Sequence, residues 1–162
     1  MPQPRIPAIV YTTNMFGAAL WTAIWNPGTK NFDVAEAFDL APVNGGVPLE
    51  IYFVDKGKTM SVTTANPGLM HIFDLSKNPA KPTLIKSIPT GQGAHHVGLT
   101  KNGRYRFVQN SFINLLGMRD GSVSVVDLKT QKVVASMDTL KNMGLNPNCI
   151  VLLPQWNDLA GH

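Results

Sequence analysis

The chain of 162 residues has one cysteine, Cys149, so no intrachain disulfide is available. That cysteine lies in the apolar run 149–153, where a small buried hydrophobe is expected rather than a nucleophile or ligand. Charged residues make up only 15% of the chain, and the 44% hydrophobic content argues for a packed core rather than disorder. The net charge of +4 comes from lysines and arginines scattered between apolar runs, with no basic block. Nucleic acid is therefore not an expected partner. No stretch reaches the ~18 apolar residues of a membrane span. The run 15–25 has one preceding charge, Arg5, two tryptophans and no small-residue cleavage site after it, so a strand is expected there rather than a signal segment. No Ser-His-Asp arrangement, phosphate-binding glycine loop, haem-attachment motif or zinc cysteine pair is present.

Fourteen glycines and twelve prolines punctuate short apolar runs, a pattern of turns and strands rather than long helices. Those runs repeat. The first unit reads GVPLEIYFVDKG (46–57), TMSVTTA (59–65) and LMHIFDL (69–75); the second reads GAHHVGLTKNG (93–103), YRFVQN (105–110) and GSVSVVDL (121–128). Gly57 and Gly103 lie 46 residues apart, and Asp74 and Asp127 lie 53 apart, a difference that one loop absorbs. A period near 50 residues built from short strands is the signature of a β-propeller blade.

In blade order, from innermost to outermost strand, 8–40 supplies strands two to four of one blade. The units 46–90 and 93–140 supply complete four-stranded blades, and 145–156 supplies the first strand of a further one. The segment 32–40 alternates apolar and polar residues and precedes Pro42, which favours an outer strand over a short helix. The fold class expected is all-β: a partial propeller of two complete blades plus parts of two others. Because propellers have about four to eight blades, the chain is expected to be the C-terminal portion of a larger propeller, one of seven blades on the resemblance given below. Its partner would be the remainder of that propeller, in the same polypeptide or in partner subunits.

Residues 96–110 (HVGLTKNGRYRFVQN) and 120–135 (DGSVSVVDLKTQKVVA) resemble the YVTN-type β-propeller repeat, with Lys101 and Asn102 in place of its usual Pro-Asp pair. A second likeness covers 20–54. Its Trp-bearing strand 20–25, Asp39 and Leu40, and the stretch VPLEIYF (47–53) are similar to a segment of the selenium-binding proteins, which include methanethiol oxidases. The first resemblance implies a binding or scaffold module of the cell envelope, periplasmic or extracellular. The second implies a seven-bladed propeller, with histidine-bound copper in some members. The cysteine-rich selenium-binding portion of that family has no counterpart here.

The first strand of each blade lines a propeller's channel. The offset of 46 aligns Glu50 with His96 and Leu49 with His95, and Asn148 takes the like place in the third unit. Side chains alternate along a strand, so His95 and His96 are expected to face opposite ways. Glu50, His96 and Asn148 at one channel level would suit a metal ion or a polar substrate, and imidazole accepts copper and zinc. His95 and His96 are thus the candidate metal ligands, with copper the candidate cofactor, and Glu50 and Asn148 are the channel-lining candidates. Against this stands a structural role, since a histidine opening the first strand is also a feature of the YVTN-type repeat. His71, on a third strand, is expected to be structural. Asp74 and Asp127 end third strands, where they are expected to bond turn backbone. Trp21 and Trp25, four apart on one strand, are expected to pack between blades.

Overall fold

The structure, a computed structural model, describes residues 8–153 and 155. Among the described residues, eleven strands form three antiparallel sheets. The first sheet holds β1 (Ile9–Asn14), β2 (Ala19–Asn26) and β3 (Asn31–Asp39) in that order. The second holds β4 (Pro48–Val54), β5 (Thr59–Ala65), β6 (Gly68–Asp74) and β7 (Thr83–Pro89). The third holds β8 (Ala94–Leu99), β9 (Tyr105–Asn110), β10 (Val123–Asp127) and β11 (Lys132–Met137), and a four-residue helix α1 (Thr139–Asn142) follows.

The sheets stack face to face in chain order, and each interface is a core of alternating strand residues. Leu20 and Leu40 meet Met60, Val62 and Phe73 between the first and second sheets. Phe38 and Phe73 cross edge to face there, with ring centroids 5.0 Å apart. Tyr52, Met70, Ile72 and Ile88 meet Ala94, Val97, Leu99, Val108 and Val126 between the second and third. β6 shows the period of two that makes this possible. Met70 and Ile72 face the third sheet while Phe73 faces the first.

The phase of the repeat is visible in these contacts. β8 packs beside β4 and β5, β4 packs beside β1, and the outer strands β7 and β11 meet. β1 therefore holds the place of a second strand, as β5 does. The ends of β2, β6 and β10 carry the same turn. Asn26 Oδ1 accepts the N–H of Gly28, Asp74 Oδ1 that of Ser76 and Asp127 Oδ1 that of Lys129, at 2.8–3.0 Å. Arg104 braces the third of these, its Nη2 lying 3.0 Å from Asp127 Oδ2. That hydrogen bond holds the Asp127 carboxyl below the usual carboxylate range.

Glycine allows the sheets to approach. A Cβ on Gly68 would fall 1.8 Å from the Gly91 carbonyl oxygen, so no larger residue fits where β6 crosses the loop before β8. The arrangement is a partial β-propeller: two four-stranded blades following a three-stranded sheet.

The first strand expected over 145–156 has no pairing partner among the described residues, and the expectation for Cys149 is corrected. Residues 146–153 form no ladder. A first strand is held by its second, and no second strand stands beside this segment among the described residues. It is instead pinned to the third sheet by its flank. Gln109 Nε2 donates to the Pro147 carbonyl, and the side chains of Ile150 and Leu152 cover Gly98. Cys149 is exposed rather than buried, because nothing among the described residues covers the outer side of this segment. Residues 154 and 156 lie outside the described residues.

Candidate functional site

The inner strands of both complete blades carry the same irregularity. In β4, Pro48 pairs with Thr64 and Ile51 with Val62, so Leu49 and Glu50 together oppose Thr63. In β8, Ala94 pairs with Asn110 and Val97 with Val108, so His95 and His96 together oppose Gln109. Each is a β-bulge, two residues against one, a device that re-aims side chains. Each is secured in the same way by the opposing side chain. The N–H of Glu50 donates to Thr63 Oγ1 at 3.2 Å, and the N–H of His96 donates to Gln109 Oε1 at 3.4 Å.

The bulge overturns the expectation that His95 and His96 point to opposite faces. Their ring centroids are 3.8 Å apart with planes tilted by 33°, and both face one carboxylate. His95 Nε2 lies 3.5 Å from Glu50 Oε1, and His96 Nδ1 lies 4.0 Å from the same oxygen. One donor atom from each of Glu50, His95 and His96 falls within 4.8 Å of the other two. The histidine side chains are 12% and 19% exposed and that of Glu50 33%, so the cluster is recessed but reachable from solvent. Phe112 closes one side, its ring edge-on to His95 at 5.2 Å. His95 Nδ1 is buried and has no hydrogen-bond partner among the described residues.

Two imidazoles and a carboxylate offer two nitrogen donors and one oxygen donor. This donor set suits copper, zinc or ferrous iron rather than calcium or magnesium, which take oxygen ligands. The candidate copper ligands therefore fit a transition metal in their chemistry and mutual distances. Asn148, aligned with them by the repeat, is exposed. Its neighbour Pro147 is the residue tied to Gln109, which also secures the His96 bulge.

The remaining sequence candidates have structural surroundings. His71 is fully buried, with Nδ1 2.8 Å from Ser87 Oγ and Nε2 3.2 Å from Thr64 Oγ1. Burial lowers its pKa to about 4, so it is neutral near pH 7. Tyr52 accepts the N–H of Val97, just past the bulge, at 3.0 Å, and burial pushes its hydroxyl pKa up. Trp25 packs edge-on against Phe32 at 5.2 Å but remains 38% exposed, because no sheet among the described residues covers that face. A separate cleft lies between the second and third sheets at their far rim, lined by Asp55, Lys56, Lys101, Asn102 and Gln131 but by none of the cluster residues.

Gln109, Thr63 and Phe112 were not legible as site residues from the sequence. Gln109 and Thr63 occupy equivalent positions of the repeat, 46 residues apart, and polar residues at the same point in a buried second strand were the available signal.

No family model matches the chain, and no curated protein matches it. Solved structures do. A functionally unknown protein from Desulfotomaculum acetoxidans DSM 771 is 18% identical with a TM-score of 0.58, over 83% of this chain and 43% of that one. The periplasmic gluconolactonase PpgL of Pseudomonas aeruginosa is 15% identical with a TM-score of 0.57, over 85% of this chain and 40% of that one. The β-propeller domain of Cps50 (Swd1) from Myceliophteria thermophila is 13% identical with a TM-score of 0.48, over 81% and 40%. At such identities the likeness is one of fold alone. The chain spans about two fifths of the length of these structures. No helix among the described residues is long and apolar enough to cross a membrane.

Proposed function

We propose that this chain is a metal-binding β-propeller module that holds a transition-metal ion between its inner strands with Glu50, His95 and His96. The observation that carries the reading is the pair of bulges. They bring three donor groups from two blades within 4.8 Å of one another. A histidine kept only to bond backbone between blades would not require its neighbour to turn to the same carboxylate.

Bound metal would act as a Lewis acid toward a ligand entering from the channel. This chain's own residues do the rest. Glu50 supplies the negative charge, Gln109 sets the orientation of His96, and Phe112 shields His95 from water on one side. Copper is the first candidate, since a site of nitrogen and oxygen donors favours it in the divalent series. Isothermal titration with copper(II) and zinc(II) tests the reading. One ion per chain is expected, with His95→Ala and His96→Ala each weakening binding by on the order of 100-fold. Equal affinity of wild type and both variants would overturn it.

A second reading has its own observation in favour. The uncovered apolar face of the first sheet, with Val10, Trp25, Phe32 and Val34 exposed, suits a binding or scaffold module of the cell envelope. One structural neighbour is named as periplasmic. On this reading His96→Ala alters stability or partner binding and leaves metal content unchanged.

A further inference from the structure

The inner strands β4 and β8 carry the Glu50–His95–His96 cluster near their starts. Past their other ends lies the cleft between the second and third sheets. It holds about 630 Å3, within the ~300–1,000 Å3 of small-molecule pockets. Its lining residues belong to the strands and turns of the two complete four-stranded blades, and none belongs to the cluster.

The lining is divided. Val54 and Ile72, both buried, form an apolar floor with Leu128, and Ile85 of β7 stands beside them. The rim is polar. Lys56 enters from the turn between β4 and β5, and Lys101 from the turn between β8 and β9. Neither forms an ion pair among the described residues, whereas Arg104 and Lys141 do. Asp55 is the one carboxylate of the lining among the described residues, so two cations against it leave one positive charge. Asn102 adds a donor. Its Oδ1 accepts the N–H of Arg104 at 3.0 Å and the hydroxyl of Thr100 at 2.7 Å, which fixes the amide and leaves Nδ2 without a bond among the described residues.

The backbone holds these groups at the cleft. Asp55, Lys56 and Gln131, all in the lining, have φ of 49°, 54° and 54°, in the left-handed region. Glycine takes that conformation without steric cost, and a residue with a Cβ does not. The turn between β8 and β9 uses glycine for it, Gly103 at φ 68°. The turn between β4 and β5 instead keeps an aspartate and a lysine there, giving up turn stability for polar side chains at the cleft. Backbone strain of this kind gathers at ligand sites.

We infer that the cleft binds a small organic monoanion, a carboxylate carried on a compact apolar body. The carboxylate sits between Lys56 and Lys101 and accepts from Asn102, and the body lies against Val54, Ile72 and Leu128. The single positive charge of the lining matches a monoanion. A phosphate is more than singly charged near neutral pH and has nothing to place on the apolar floor. This site stands apart from the metal cluster, with which it shares no residue.

Benzoate is the probe, titrated by calorimetry and followed by backbone amide NMR shifts. Saturable binding of one benzoate per chain is expected in the millimolar range, with the amides of Lys56, Asn102 and Gln131 shifting together. Benzamide, of the same shape but uncharged, and inorganic phosphate, charged but with no apolar body, should each bind about 10-fold more weakly or worse. Lys56→Met and Lys101→Met alter exposed side chains, should keep the wild-type circular dichroism, and should each weaken benzoate binding by on the order of 10-fold. Asp55→Asn removes the like charge and should tighten it. A titration that does not saturate, equal binding of benzamide or phosphate, weaker binding in Asp55→Asn, or an affinity unmoved by both lysine substitutions overturns the inference.

Discussion

His71 offers a worked case of burial controlling stability. It sits on the central β6 strand between two hydroxyls, Ser87 and Thr64, with no exposed surface. Desolvation lowers its pKa to about 4 in the fold. In the unfolded chain the ordinary value near 6.5 returns. The folded pKa is depressed, so between these values the unfolded chain binds a proton that the folded chain refuses. The contribution of neutral His71 is fully present above about pH 6.5, falls as pH drops, and is spent below about pH 4. At about 1.4 kcal/mol per unit, the whole window is worth about 3 kcal/mol. The assay is urea unfolding at pH 7.5, 6, 5 and 4 for the wild type and His71→Gln, which does not titrate. Carboxylate titrations are common to both proteins and cancel in the difference. Wild-type stability relative to the variant should fall by about 3 kcal/mol from pH 7.5 to 4, most of it below pH 6.5. A difference that stays flat across that range would refute the reasoning.

Other substitutions test the repeat's internal bonds by the same unfolding measurement. Asn110 Nδ2 donates to Ser122 Oγ at 3.0 Å and Ser124 Oγ at 2.9 Å inside the third sheet, and Asn110→Ala should lower stability by about 1–3 kcal/mol. Gly68→Ala drives a methyl into the Gly91 carbonyl and should cost about 1–3 kcal/mol. Tyr52→Phe removes the acceptor of the buried Val97 N–H, for a loss of about 1–3 kcal/mol. Gln109→Leu releases both the His96 bulge and Pro147, and should weaken copper binding more than Thr63→Val, which loosens only the Glu50 bulge.

The strands were legible because turn chemistry and alternation coincide. Asn26, Asp74 and Asp127 each close a strand with the same side-chain-to-backbone bond, which fixes the phase of the repeat. Glu50 and the two histidines were legible as candidates because the repeat aligns them. Their convergence was not. A strict period of two sends His95 and His96 to opposite faces, and only the pairing with Gln109 reveals two residues opposing one. The constant offset of 46 hides the bulge, because both blades carry it and no register change appears between them. Cys149 was misjudged for a related reason. Its apolar run reads as a buried strand, but burial depends on what lies beyond it, and no described residue does.

The central claim is that Glu50, His95 and His96 hold one metal ion between two blades. The most direct measurement is an anomalous difference map at the copper edge from crystals grown with copper(II). A single strong peak is predicted at about 2.0–2.2 Å from one nitrogen of each histidine and one Glu50 oxygen. A map with no peak there, or with copper only at exposed sites such as Cys149, would contradict it.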